Sequence, residues 1–205
     1  MMRCAVLASG RGSDFQAVID AVAAGTCPVE LVRLITDNPS APAIGRAERA
    51  GIPITVLDRA AFSEREAYEA ALREAMAASS AELFVLAGYM RLLSRETVLA
   101  FRGRMINIHP ALLPSFPGLR SPEQAVAHGV RVAGCTVHYV TEEMDAGPII
   151  LQACVPVLDD DDGESLAARI LVEEHRLLPE AIRLFAEGRL RCEGRRVRHL
   201  PPSTG

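Results

Sequence analysis

Residues 3–15, RCAVLASGRGSDF, decide the fold class of this chain. Arg3–Ala8 is an apolar run of strand length, Ser9–Ser13 is a glycine loop, and apolar residues recur at helical spacing over Phe15–Val22. Strand-like and helix-like patterns alternate five times up to about residue 127, which is typical of a parallel sheet with helices on both of its faces.

After residue 127 the pattern changes. Cys135–Val140 and Ile149–Val157 are two strand-like runs joined by a polar turn, which predicts an antiparallel pair added to the parallel strands. A long helix is expected from about Glu164 to Glu187. We therefore predict one α/β domain over residues 1–200, with a disordered tail at 201–205.

Composition excludes several classes of function. The 205 residues carry a net charge of −4 and no polybasic tract, which argues against a nucleic-acid partner. Lysine is absent, so Schiff-base chemistry through a lysine amine is excluded. Five scattered cysteines indicate a reducing compartment, and no signal peptide or membrane-length apolar stretch is visible. We expect a cytoplasmic protein without a membrane partner.

The run Met105–Pro110, MINIHP, contains the strongest candidate for chemistry. Asn107 and His109 lie two positions apart, so on a strand both side chains point to the same face, where an amide and an imidazole can stabilise a negative oxygen. Asp145 lies downstream, and a carboxylate that reached the imidazole would favour its charged form. An equally good interpretation is that Asn107 and His109 simply end a strand and bind loop backbone.

The glycine loop suggests an anion site. Backbone N–H groups at a helix start can bind a phosphate, but the pattern lacks the third glycine of a dinucleotide loop, since position 15 is Phe. Asp14 would repel a phosphate unless it serves only as a helix N-terminal residue. The five histidines show no metal-binding spacing, so no metal is predicted.

Four segments together resemble the folate-dependent phosphoribosylglycinamide formyltransferase family: Ser9–Ala17, Leu86–Ser94, Asn107–Pro114 and Asp145–Ile150. The resemblance runs in order from about residue 3 to about residue 200. It implies a Rossmann-like formyltransferase domain that moves the formyl group of 10-formyltetrahydrofolate, its cosubstrate, to the amine of glycinamide ribonucleotide in de novo purine biosynthesis. It implies small-molecule substrates, no metal, and a monomer or homodimer.

The resemblance also implies roles for single residues. His109 would donate a proton and hold the oxyanion, Asn107 would donate a second hydrogen bond, and Asp145 would keep the imidazole charged. The residues implied to bind the ribonucleotide are Gly12, Ser13, Asp14 and Glu174. The residues implied to bind the folate are Arg65, Met90, Arg91, Leu92, Leu93, Thr141, Glu142, Glu143 and Met144.

Two departures from the family pattern stand out. The family usually has Asn where this chain has Asp14, and it often carries histidines where this chain has Arg120, Ser121 and Pro122. Arg120 could add positive charge that offsets Asp14.

Four alternatives stay open. Formyltetrahydrofolate hydrolase normally has an extra N-terminal domain, and methionyl-tRNA formyltransferase has a C-terminal one; neither is expected here. A sugar-nucleotide formyltransferase has a similar core, and a binding module without activity is also conceivable. The intact Asn107, His109 and Asp145 count against the binding module.

Overall fold

The computed structural model describes residues 1–202, and the chain forms two compact units, Met1–Ile106 and Asn107–Gly205. Of the tail predicted to be disordered, residues 203–205 lie outside the described part. None of the helices within residues 1–202 is both long enough and apolar enough to cross a membrane.

The first unit is built from parallel strands in the order β3-β2-β1-β4. The strands are β1 (Met2–Leu7), β2 (Val29–Thr36), β3 (Ile54–Val56) and β4 (Leu83–Leu86). The helices are α1 (Ser13–Ala23), α2 (Ala43–Arg49), α3 (Arg65–Ala78) and α4 (Arg95–Ala100), with a short 3-10 turn at Arg59–Ala61. All four residues of β4 are buried, as expected for a parallel strand covered on both faces.

The sharp turn between β1 and α1 depends on Gly12. Its φ of 67° lies in the left-handed region, and an added Cβ would lie 2.7 Å from the Cβ of Ala43. Both the backbone conformation and the close approach therefore require glycine at this position. The loop that precedes α1 is fixed by its glycine rather than by a side-chain cap, since no side-chain cap bond forms at this helix start.

The second unit begins inside strand β5 (Met105–His109), which carries Asn107 and His109. Strands β6 (Val132–Tyr139) and β7 (Ile149–Pro156) form an antiparallel pair. Strands β8 (Leu190–Glu193) and β9 (Arg196–His199) form a hairpin whose β9 runs parallel to β7. The helices of this unit are α5 (Ser121–His128) and α6 (Gly163–Ala186).

The predicted α/β class, its mainly parallel strands and the C-terminal antiparallel pair are confirmed. Ser63 and Glu66 have a capping-box pattern in the sequence, but α3 begins after Glu64 without a side-chain cap bond. The β8–β9 hairpin was missed, because its residues are polar and mostly exposed and so show no burial pattern. The extent of the domain, 1–200, stays a prediction.

Gly134 gives a test of how tightly β6 and β7 are packed. An added Cβ would lie 1.9 Å from the carbonyl oxygen of Ala153 and 2.9 Å from a methyl of Leu112, so backbone must move to admit it. We expect Gly134→Ala to lower the free energy of unfolding by about 2–3 kcal/mol, measured by urea denaturation.

The matched control is Gly10→Ala, whose added Cβ meets no atom within 4 Å. We expect this variant to unfold at the wild-type urea concentration or slightly above it. Equal losses in the two variants would contradict the packing described for the β6–β7 pair.

Candidate active site

The second unit brings the three residues predicted to be catalytic into one cluster. His109 Nδ1 lies 3.6 Å from Asp145 Oδ2, and Asp145 Oδ1 lies 3.7 Å from His138 Nε2. The side-chain nitrogen of Asn107 lies 3.1 Å from the same His138 Nε2. We call Asn107, His109, His138 and Asp145 the His–Asp cluster; His138 was not predicted to belong to it.

The backbone that carries Asp145 is tightly constrained. Asp145 has a left-handed φ of 52°, in the turn between β6 and β7. An added Cβ on the nearby Gly147 would lie 1.7 Å from the carbonyl oxygen of Tyr139, so only glycine permits this path. The amide of Gly118 donates a hydrogen bond of 2.8 Å to Asp145 Oδ2. The position of the carboxylate is therefore fixed by the turn that carries Asp145 and by the hydrogen bond from Gly118.

The proton on His138 is fixed by its backbone partner. His138 Nδ1 lies 2.9 Å from the carbonyl oxygen of Tyr139, which can only accept, so Nδ1 must carry a hydrogen. In the neutral ring Nε2 then has a lone pair, which accepts a hydrogen from the Asn107 amide nitrogen. Burial of His138 lowers its pKa, against the opposing effects of the Tyr139 carbonyl and Asp145, so the neutral form is favoured.

The same reasoning assigns the opposite nitrogen of His109. His109 Nε2 lies 3.0 Å from the carbonyl oxygen of Phe116, so Nε2 carries a hydrogen in either charge state. The nitrogen whose protonation can change is Nδ1, which faces Asp145. His109 is only 5% exposed, so bulk water screens these contacts little.

A carboxylate between two ring nitrogens needs a proton nearby. With both rings neutral, Asp145 would face two lone pairs, at 3.6 and 3.7 Å, and be repelled by both. His138 Nε2 already accepts a hydrogen from Asn107, and burial lowers the pKa of this ring. A hydrogen on His109 Nδ1 would complete an imidazolium–carboxylate pair with Asp145, and this role of the two residues stays a prediction.

The loop that follows β5 is anchored by one buried hydroxyl. Thr136 donates to the carbonyl oxygen of Ala111 at 2.6 Å and accepts from the amide of Leu113 at 3.1 Å. The side chain of Gln152 donates to the Thr136 hydroxyl and also to the carbonyl oxygen of Leu113. These bonds fix the start of the loop that places the Phe116 carbonyl and the Gly118 amide.

The residues predicted to bind the ribonucleotide lie in two units. In the first unit, Gly12 precedes α1 and Ser13 and Asp14 are its first two residues, so backbone N–H groups at a helix start are available there. In the same unit, Arg46 donates to the carbonyl oxygen of Arg11 at 2.8 Å and steadies the loop. Glu174 belongs to the second unit, where it is buried in α6.

The first unit brings several of the residues predicted to bind folate to its surface. The Met90 and Leu92 side chains are each 62% exposed, so Leu92 is not a core residue. Arg65 donates to the carbonyl oxygen of Leu92 at 3.1 Å, and Arg91 donates to Asp37 at 2.7 Å. Leu93, next in the chain, is half-buried.

Two of the predicted loops meet in this unit. The amide of Ser9 donates to the carbonyl oxygen of Gly88, and the amide of Met90 donates to the Ser9 hydroxyl. The loop after β1 and the loop after β4 are therefore joined at the carboxyl ends of their strands, which is where ligands bind such sheets.

The second unit holds the other four residues predicted to bind folate. The Thr141 hydroxyl donates to the carbonyl oxygen of Glu143, which tightens the turn before Asp145. Met144 is half exposed, and its terminal methyl lies near Gly118. Glu142 lies in the same turn. The binding roles of all these residues stay predictions, as does the absence of a metal.

Sequence reasoning missed two members of the site. His138 lies in an apolar strand run, where a single histidine is usually a core residue whose hydrogen bonds are made within the protein. Ser121 was noted only as a departure from the family pattern, yet its hydroxyl lies 3.1 Å from His109 Nε2. No spacing in the sequence linked His138 to Asn107, His109 or Asp145.

Comparison with known proteins identifies the family. Residues 2–182 match the family model described as formyl transferase, so the chain belongs to the formyl transferase family. This confirms the resemblance read from the four sequence segments.

Named relatives cover most of the chain. It is similar to the solved structure of glycinamide ribonucleotide transformylase 1 from Symbiobacterium toebii, with 53% identity, a TM-score of 0.95, and coverage of 98% of this chain and 95% of that one. It is 41% identical over 190 residues to phosphoribosylglycinamide formyltransferase from Escherichia coli, which covers 93% of this chain and 90% of the relative.

A longer relative contains a matching part. The trifunctional purine biosynthetic protein adenosine-3 from Drosophila pseudoobscura is 46% identical over 191 residues. The match covers 92% of this chain but only 14% of that protein, so this chain corresponds to one part of a much longer polypeptide there.

The lowered pKa of His138 gives a test by pH. Because the folded-state pKa lies below the ordinary value of 6.5, the unfolded chain takes up a proton first as the pH falls. Stability from the neutral ring is fully present above pH 6.5 and is lost as the pH falls below it. We therefore expect the free energy of unfolding to fall less in His138→Gln than in wild type between about pH 7.5 and 5.5.

Urea denaturation at the two pH values measures the difference within each protein, so any general loss of stability in the variant cancels. The matched control is His128→Gln, which replaces an exposed histidine. An unchanged pH dependence in His138→Gln would show that this ring is not held neutral by the fold.

Proposed function

We propose that this chain transfers the formyl group of 10-formyltetrahydrofolate to the amine of glycinamide ribonucleotide, a step of de novo purine biosynthesis. The names of the Symbiobacterium and Escherichia coli relatives support this, because both align over nearly their whole length. The observation that carries the proposal is the His–Asp cluster, in which Asn107, His109 and Asp145 lie together as acyl transfer requires.

The reaction needs a group that stabilises a negative oxygen and moves one proton. The amine lone pair attacks the formyl carbon, a carbon–nitrogen bond forms, and the carbonyl electrons move to oxygen. When the oxyanion collapses, the bond from that carbon to N10 of the folate breaks. Overall the amine loses one proton and N10 gains one.

His109 and Asn107 suit the oxyanion. The proposed His109 Nδ1–H supplies one donor that carries positive charge. The Asn107 amide nitrogen has two hydrogens, of which one is directed at His138, so the other can reach the substrate oxygen. Each well-placed oxyanion donor is worth roughly 3–4 kcal/mol of transition-state stabilisation.

Asp145 makes the charged ring available for this reaction. At 3.6 Å from His109 Nδ1 the carboxylate is beyond hydrogen-bond distance, so attraction between charges acts there while the proton stays free to be donated. An acid or base placed in this way typically contributes about a hundredfold or more to the rate.

The substrate contacts remain proposals for each unit. In the first, the start of α1 at Gly12, Ser13 and Asp14 offers N–H groups to a phosphate, and exposed Met90 and Leu92 offer apolar surface to a folate ring. In the second, Glu174 and Thr141–Met144 keep the roles expected of them. Cytoplasmic localisation and the oligomeric state also remain predictions.

The catalytic roles can be tested by removing each group in turn. We expect His109→Ala and Asp145→Asn to lower kcat by about a hundredfold or more, because each removes part of the charged pair. Circular dichroism and thermal unfolding should show both variants folded, and formylated glycinamide ribonucleotide is quantified by mass spectrometry.

Asp159→Asn serves as the control, since it replaces an exposed residue outside the cluster. Wild-type kcat in either cluster variant would refute the role given to that residue. Release of formate without formylated product would instead identify a formyltetrahydrofolate hydrolase, and formylation of an amino sugar nucleotide would identify the sugar-nucleotide enzyme.

A further inference from the structure

One side of the His109 ring is held by a short segment, Phe116–Ser121, whose residues lie outside the proposed catalytic trio. The Phe116 carbonyl oxygen and the Ser121 hydroxyl lie 3.0 and 3.1 Å from His109 Nε2. From the same segment, the Gly118 amide donates to Asp145. One loop therefore contacts both partners of the His109–Asp145 pair.

The hydroxyl of Ser121 is buried, with its residue only 1% exposed. It donates to the carbonyl oxygen of Gly118 at 3.2 Å, since a carbonyl can only accept. Its lone pairs are then directed to His109, where Nε2–H is shared between Ser121 and Phe116. The hydroxyl hydrogen of Ser121 and the Nε2 hydrogen of His109 therefore each have an acceptor.

A purely structural role would be that Ser121 caps helix α5. The helix start argues against it, because the N-cap residue is Arg120 and no side chain caps this end. By contrast, Ser94 caps α4 through a bond to the amide of Thr97, and Asp162 caps α6. The Ser121 hydroxyl is directed to the ring instead of the helix.

The backbone of this segment is unusual at Phe116, which carries the carbonyl, and at Arg120, which precedes Ser121. Phe116 and Arg120 have left-handed φ angles of 53° and 58°, which non-glycine residues seldom adopt. Such strain persists only where surrounding contacts hold it, and it is concentrated at functional sites. Here it directs the Phe116 carbonyl and the Ser121 side chain toward the same nitrogen.

We propose that Ser121 is a positioning residue which, with the Phe116 carbonyl, keeps a hydrogen on His109 Nε2 and so makes Nδ1 the nitrogen that gives and takes the reacting proton. This rests on the proposed function for the identity of the reaction. The assignment of ring hydrogens itself does not depend on any substrate. Ser121 acts through His109 and need not touch the formyl group.

The test compares Ser121→Ala, which removes the hydroxyl, with Ser121→Thr, which keeps it. We expect Ser121→Ala to lower kcat about tenfold, as for loss of one hydrogen bond to a charged group, with little change in KM for either substrate. Ser121→Thr should restore most of kcat. Ser165→Ala, at the exposed start of α6, removes a hydroxyl that accepts from the Asp162 amide and donates to Asp161, so this control should lose some stability but keep kcat.

Nitrogen-15 NMR of the imidazole rings gives a readout that a structural role would not change. His109 is assigned by the signals missing in His109→Gln. In wild type we expect Nε2 to remain protonated across the titration while Nδ1 alone changes state. In Ser121→Ala the Phe116 carbonyl alone holds the hydrogen on Nε2, so the share of neutral rings that carry it on Nδ1 should rise and shift both nitrogen signals.

The outcomes separate the two proposals. If wild type transfers no formyl group, the proposed function fails, and the NMR result still decides the ring assignment. If wild-type His109 loses its hydrogen from Nε2, or Ser121→Ala keeps both wild-type kcat and wild-type ring shifts, the positioning role is wrong. Should Ser121→Ala fail to fold, the wild-type and Ser121→Thr spectra still decide.

Discussion

The site depends on one carboxylate held between two imidazole nitrogens. Asp145 faces His109 Nδ1 and His138 Nε2 at nearly equal distances and accepts a hydrogen bond from the Gly118 amide. The two rings are made unequal by their other contacts. His138 is bonded to the Tyr139 carbonyl and to Asn107, and burial lowers its pKa, which favours its neutral form. The proposed function therefore gives the charge to His109.

Backbone geometry, rather than side-chain freedom, sets these positions. The left-handed Asp145 and the close approach at Gly147 fix the turn between β6 and β7. The Thr136 hydroxyl fixes the loop after β5, and that loop returns to both members of the His109–Asp145 pair. A rigid arrangement of this kind lowers the reorganisation needed when charge develops in a transition state.

Much of this could be predicted from the sequence. Periodicity gave the alternation of strands and helices, and the two-residue spacing placed Asn107 and His109 on one face of β5. Asp145 was predicted as a carboxylate downstream of His109, and the family resemblance implied its role. Ser121 could not be placed, because its contacts depend on a loop path with left-handed Phe116 and Arg120, which no local pattern marks. His138 was missed because a single histidine in an apolar strand run has the pattern of a core residue. The β8–β9 hairpin was not predicted for a different reason. Its strands bury little surface, so apolar and polar residues do not alternate along them.

Neutron diffraction from a deuterated crystal at neutral pH tests the central claim most directly, because it locates the hydrogens of the His–Asp cluster. The account predicts deuterium on Nδ1 but not Nε2 of His138, on both nitrogens of His109, and between the Asn107 nitrogen and His138 Nε2. Deuterium on His138 Nε2 directed at Asp145, with His109 Nδ1 bare, would contradict it.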